Sequence, residues 1–116
     1  MNRARYEMAK KTYAADQHTT HKLEADFLEA ATLFCKVAGI LVVRQAQATR
    51  RGVADLLLCC NGRFIAAELK AEDGEPTPHQ LKFIDKVSEN GGLGAVCSTL
   101  GEIWELLDKA WRTCST

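Results

Sequence analysis

No stretch of this sequence approaches the roughly 18 consecutive apolar residues that a membrane span requires, so a membrane is not an expected partner. The opening residues Met1-Asn2-Arg3-Ala4-Arg5 are not followed by an apolar core, so no secretory signal is expected there and an intracellular, cytoplasmic location is the reading. The phosphate-cradling pattern G-x-x-x-x-G-K-[ST] is missing, which counts against a nucleotide hydrolase built on that loop. No repeat and no low-complexity tract interrupts the chain. The five cysteines, Cys35, Cys59, Cys60, Cys97 and Cys114, are odd in number and lack Cys-x-x-Cys spacing, which excludes a zinc or disulfide framework as the organising device. Cys59 and Cys60 are adjacent in an expected strand and must point to opposite faces; reduced thiols acting as small hydrophobes are the simplest reading.

Net charge is also lacking, but only in the sum. Residues 1–52 carry nine Lys/Arg against five Asp/Glu, and residues 53–116 carry six against ten, so +4 is cancelled by −4. The basic half ends in Arg44, Arg50 and Arg51, just ahead of the acidic residues that matter most below. A cationic rim beside a carboxylate pocket suits a phosphodiester, with Arg44, Arg50 and Arg51 as the residues to hold its backbone; the competing reading is an ordinary mixed surface. At 116 residues with 47% apolar content, the chain is expected to form one domain with a real core.

Residues 1–19 show no clear periodicity and read as a basic N-terminal arm or a frayed helix, with the domain proper at 20–116. A helix is expected from about Thr20 to Ala38, capped by Thr19 or Thr20, with Leu23, Phe27, Ala30, Ala31, Phe34 and Val37 as its stripe and Gly39 as its stop. A strand begins at Ile40 and runs to about Gln47, and a loop follows to Gly52. Two apolar runs, near 53–60 and 63–70, flank Asn61-Gly62, the strongest short-range signal for a two-residue hairpin. Thr77 caps the next helix, which has Pro78 in its first turn, runs to about Ser88 and packs through Leu81, Ile84 and Val87. Leu93 to Cys97 is a short buried strand, and Ser98 or Thr99 caps a last helix packed through Ile103, Trp104, Leu107 and Trp111. The order α-β-β-β-α-β-α, with a helical crossover before the last strand, predicts an α/β fold with a mixed central sheet and a C-terminal helix.

Asp55 opens the first hairpin strand, and Glu68 and Lys70 close the second. A hairpin returns the end of one strand to the start of the other, so the two carboxylates are expected at one end of the sheet. Glu68 and Lys70 are two apart and share a face. Carboxylates and an ammonium beside such apolar strands are costly unless they bind something. Two carboxylates suit a hard cation such as Mg2+, with the carbonyl of Leu69 as a further neutral ligand and Lys70 placed to orient a water and offset charge in phosphodiester hydrolysis. The competing reading is a surface ion pair at a strand end.

Gly52-Val53-Ala54-Asp55 followed by Glu68-Leu69-Lys70 resembles the PD-(D/E)xK nuclease motif, and the chain from about residue 20 to 108 looks like a stand-alone, phage-type VRR-NUC domain. The matching positions are Glu24 on the first long helix, Gly52 and Asp55, the Asn61-Gly62 turn, Glu68-Leu69-Lys70, Gly74, and Gln80 opening a helix; Ala54 stands where the family usually has Pro. The resemblance implies a restriction-endonuclease-like αβββαβ core and a Mg2+- or Mn2+-dependent deoxyribonuclease acting on DNA ends, flaps or branched structures such as four-way junctions. Asp55 and Glu68 would be metal ligands, Lys70 catalytic, Glu24 an aid from the helix in holding a water of the metal, and Gln80 a partner of Glu68, Lys70 or a phosphate. His79 is expected to be a capping or exposed residue and not a base. A homodimer is expected, since so small a chain has a small footprint. The alternative is a non-catalytic nucleic-acid-binding or assembly module that keeps the fold.

Overall fold

The computed structural model describes residues 2–45 and 52–113. Its centre is a four-stranded sheet in the order β1-β2-β3-β4, made of Leu41–Arg44, Leu56–Cys60, Arg63–Leu69 and Leu93–Cys97. β1 to β3 are antiparallel neighbours and β4 is parallel to β3, so the sheet is mixed as expected. The described residues hold four α-helices: α1 (Arg3–Thr12), α2 (Glu24–Val37), α3 (Pro78–Glu89) and α4 (Leu100–Thr113). Among them no helix is long and apolar enough to cross a membrane.

The hairpin forms where the turn chemistry demands. Cys60 pairs with Arg63 across Asn61 (φ 53°) and Gly62 (φ 82°), the two left-handed residues that a tight hairpin needs. Alternation along β2 and β3 then divides the sheet into two faces. Leu56, Leu58, Cys60, Ile65, Ala67 and Leu69 enter the main core under α1, α2 and α4. Leu57 and Ala66 face the other way, joining Ala54, Phe83 and Val87 in a smaller cluster under α3. The layering is α/β/α, with α3 alone on its side of the sheet.

Residues 2–19 correct the expectation of a basic arm or a frayed helix. They form α1 and a short 3₁₀ turn at Ala14–Asp16, capped by the Asn2 side chain, which accepts from the Arg5 N–H at 3.1 Å. Tyr6 is wholly buried and donates its hydroxyl to the Trp104 carbonyl at 3.1 Å. Its ring and that of Tyr13 meet Phe34 edge-on, and Phe34 stacks on Trp104. The Arg5 guanidinium donates to the carbonyls of Lys36 and Val37 at the end of α2, supplying acceptors there with charged donors. This segment is part of the core, not a free arm.

Helix α2 starts four residues later than expected. Thr20 does not cap it: its hydroxyl donates to Glu72 at 2.8 Å, and the Glu72 N–H donates to the His21 carbonyl at 2.7 Å. These bonds hold the lead-in segment against the loop after β3 and leave Glu24 as the first helical residue. Phe27, Ala31 and Phe34 are buried as expected, but Leu23 and Val37 are exposed. In α3 the inward residues are Phe83, Ile84 and Val87, while Leu81 is exposed against expectation. Strand β1 ends at Arg44; Gln47, to which it was expected to run, is outside the described residues.

Candidate active site

Asp55 lies one residue before β2, and the register that pairs Leu56 with Ala67 continues to set Asp55 opposite Glu68. Its carboxylate is fixed by the backbone, since the Leu69 N–H donates to Asp55 Oδ2 at 2.8 Å. Glu68 and Lys70 follow Ala66 on the α3 side of the sheet, where both are buried. The sequence-predicted trio therefore converges at one end of the hairpin.

Two further expected residues complete the cluster. Lys70 Nζ lies 3.5 Å from Glu68 Oε1 and 3.5 Å from Glu24 Oε1. Glu24 reaches it from the first turn of α2, and half of its side chain is exposed. Gln80 donates Nε2 to Glu68 Oε1 at 2.7 Å while its Oε1 accepts the Thr77 N–H at 2.8 Å. Thr77 in turn accepts from the Gln80 N–H at 3.2 Å, so the capping box that starts α3 also orients the amide toward Glu68. The Gln80 amide can point only one way: its carbonyl meets a donor and its NH₂ meets an acceptor.

The electrostatics follow from burial. Loss of water and then the Asp55 carboxyl beside it push Glu68 up to about 8, with Lys70 pulling the other way. A protonated Glu68 holds its proton against Asp55. When both groups are ionised, Oε2 of Glu68 is buried with no donor to meet it. An orphaned anionic oxygen next to a second carboxylate is a good place for a cation. Among the described residues no group of three or more His, Cys, Asp or Glu side chains gathers as a metal cluster. A pair of carboxylates fits a hard cation that keeps most of its waters and does not fit zinc.

Gly52 and Ala54 deliver Asp55 to this place. Ala54 is buried in the small cluster under α3. Gly52 has φ +83°, and a Cβ there would lie 2.5 Å from the carbonyl oxygen of His79. Only glycine allows the loop to rest on the first turn of α3, next to Gln80. His79 itself is exposed on the helix, as expected.

The remaining predictions divide. Arg44 ends β1 and pairs with Glu29 of α2 at 2.8 Å, so its charge is partly engaged. Arg50 and Arg51 lie outside the described residues. Cys35, Cys60 and Cys97 are buried and outside any disulfide, with burial pushing the thiols of Cys35 and Cys97 up to about 12, which keeps those two inert. Cys59 is the exposed free thiol, on the face opposite Cys60 as expected, and Cys114 lies outside the described residues. The sequence reading missed the capping box as an orienting device, the Asp55 to Leu69 bond and the approach of Gly52 to His79. Gln80 three residues after Thr77 was the available signal for the first.

Comparison with family models, with curated proteins and with solved structures finds no match for this chain.

Proposed function

We propose that this protein is a metal-dependent deoxyribonuclease of the PD-(D/E)xK kind, with a restriction-endonuclease-like core, hydrolysing phosphodiester bonds in structured or branched DNA. The observation that carries the reading is the Asp55–Glu68–Lys70 cluster, in which one carboxylate oxygen of Glu68 is buried without a donor. Asp55 and Glu68 are the residues to hold Mg2+ or Mn2+, with the Leu69 carbonyl as a further ligand. When bound, the ion supplies charge neutralisation at the phosphate and an acidified water.

The chain's own residues do the rest. Gln80 holds one oxygen of Glu68, leaving the other directed to the ligand. Lys70, with acidic partners on two sides, is the residue to orient the attacking water and to offset charge gathering on the phosphate. Glu24 fixes Lys70 from the solvent side and offers an acceptor for the water's proton. Arg44, Arg50 and Arg51 are the residues assigned to the DNA backbone.

The test is a cleavage panel with Mn2+ against single-stranded, duplex, flap and four-way-junction DNA. Asp55→Ala, Glu68→Ala and Lys70→Ala should each abolish cleavage while binding persists. Binding with no cleavage of any DNA form by the parent protein would replace this reading with a non-catalytic nucleic-acid-binding module.

A further inference from the structure

Helix α2 begins without a cap of its own. Leu23 stands at the capping position, exposed and with no side-chain acceptor to offer the first turn. Glu24, the first residue of the helix, is half exposed, so packing does not hold its carboxylate either. Yet Glu24 Oε1 reaches Nζ of the buried Lys70 at 3.5 Å. A partner outside the helix has to set where it starts.

The segment ahead of α2 is held from several sides. The Gly101 N–H donates to the Gln17 carbonyl at 2.9 Å, and a Cβ on Gly101 would come within 2.9 Å of the Gln17 side chain. The His21 ring stacks on that of the wholly buried Phe27, with centroids 5.2 Å apart. Glu72 then bonds to two neighbours in the segment. Its Oε1 accepts from the Thr20 hydroxyl at 2.8 Å, and its N–H donates to the His21 carbonyl at 2.7 Å.

Glu72 is two residues past Lys70, and His21 is three residues ahead of Glu24. The contacts therefore close a small ring. It runs from Lys70 along the backbone to Glu72, across to His21, on to Glu24, and back through the Glu24 carboxylate to the Lys70 ammonium. A shift at the Glu72 crossing passes to the Glu24–Lys70 contact, because little chain lies between to absorb it. Among the described residues no cluster of three metal-ligating side chains forms, so Glu72 is not brought to Asp55 and Glu68 as a third ligand.

We propose that Glu72, with Thr20 as its partner, is a positioning residue of the candidate active site: it holds Glu24 on Lys70 and leaves metal and phosphate to the other residues. Its effect on rate rests on the nuclease reading, but the placement it enforces can be read without DNA. The side-chain bond is the half that substitution can remove. Thr20 needs only an oxygen to donate to, so the charge of Glu72 is not the requirement. An exposed pair that merely steadied a loop would have the same effect whether or not Glu24 is present. A pair that works through Glu24 loses its effect once Glu24 is removed.

Amine acetylation of the metal-free full chain, read by mass spectrometry, and Mn2+-dependent cleavage of DNA are the two measurements. In the parent protein the buried Lys70 should label slowly against the exposed Lys82. Glu72→Ala and Thr20→Val should each raise Lys70 labelling several-fold relative to Lys82, as should Glu24→Ala. Both should lower kcat by roughly ten- to a hundredfold with KM unchanged. Glu72→Gln, which keeps the accepting oxygen, should recover both properties. In the Glu24→Ala background, Glu72→Ala should add nothing to either. Far-UV circular dichroism checks the fold; if Glu72→Ala alone fails to fold, Thr20→Val decides. Lys70 labelling unchanged in a folded variant, or a full loss from Glu72→Ala in the absence of Glu24, would overturn the proposal. The expected labelling pattern in a protein that cleaves no DNA would uphold the placement and sink the nuclease reading alone.

Discussion

Gln80 donates to Glu68 at 2.7 Å with an amide whose other end is already committed to the backbone of Thr77. One side chain thus starts a helix and sets the orientation of a buried acid. Gln80→Glu keeps the capping acceptor but places a second anion on Glu68; Gln80→Ala removes both functions. Gln80→Ala should lose about 1 kcal/mol of stability, and Gln80→Glu should show a larger loss at pH 8 than at pH 5. Urea unfolding at the two pH values makes the comparison, and equal losses for Gln80→Glu at both would deny the charge contact.

The raised pKa of Glu68 makes stability depend on pH. The folded protein holds this proton more tightly than the unfolded chain, whose ordinary value is 4.5, so the contribution is complete below that value and is lost as pH rises through about 8. The melting temperature of the metal-free protein should therefore fall between pH 5 and pH 8, and Glu68→Gln should flatten that fall. Calorimetric scans across the window check it; an unaltered slope in the variant would assign the pH dependence to another group.

Metal stabilisation should separate the ligands from the lysine. With Mn2+ the parent protein should melt higher, by more at pH 8 than at pH 6, because ion binding displaces the Glu68 proton. Asp55→Asn and Glu68→Gln should lose most of this gain. Lys70→Met should retain a gain and yet cleave no DNA. Thermal shift with and without Mn2+ is the measurement, and a gain preserved in Glu68→Gln would remove Glu68 from the ligand set.

The loop carrying Asp55 tolerates no side chain at Gly52. Gly52→Ala combines a left-handed φ with a Cβ at 2.5 Å from the His79 carbonyl. It should cost roughly 1–3 kcal/mol and lower the affinity for Mn2+ by displacing Asp55. Denaturation and calorimetric titration report the two effects separately.

At the other end of the chain, Tyr6→Ala should destabilise by about 3–5 kcal/mol, as removal of a buried aromatic does. A free arm would tolerate the change. Guanidinium unfolding distinguishes the two.

Much of this arrangement was legible in the residues, for reasons particular to each place. Asn61-Gly62 demands a left-handed pair, so the hairpin and its register follow, and with them the meeting of Asp55 and Glu68. Thr77-Pro78 fixes the start of α3 within one residue. What could not be read depended on distant partners. Thr20 is a good helix cap in isolation, but its hydroxyl is taken by Glu72 across the fold. Leu81 fits an apolar helical stripe, yet α3 packs alone on its side of the sheet and leaves that flank to solvent. Tyr6, Ala9 and Tyr13 do recur at helical spacing in α1 and the residue that ends it, but the stripe is thin among charged neighbours, and only the aromatic group of Phe34 and Trp104 shows why it is retained.

The Asn61–Gly62 bend is at the tip of the hairpin opposite Asp55 and Lys70, and a Cβ added at Gly62 would meet nothing within 4 Å. Foreign cargo grafted at this bend, such as a dye or an affinity epitope, would project into open solvent with the length of the hairpin between it and the Asp55–Lys70 end. The molecule can in this way be tethered or watched without disturbing what its other end does.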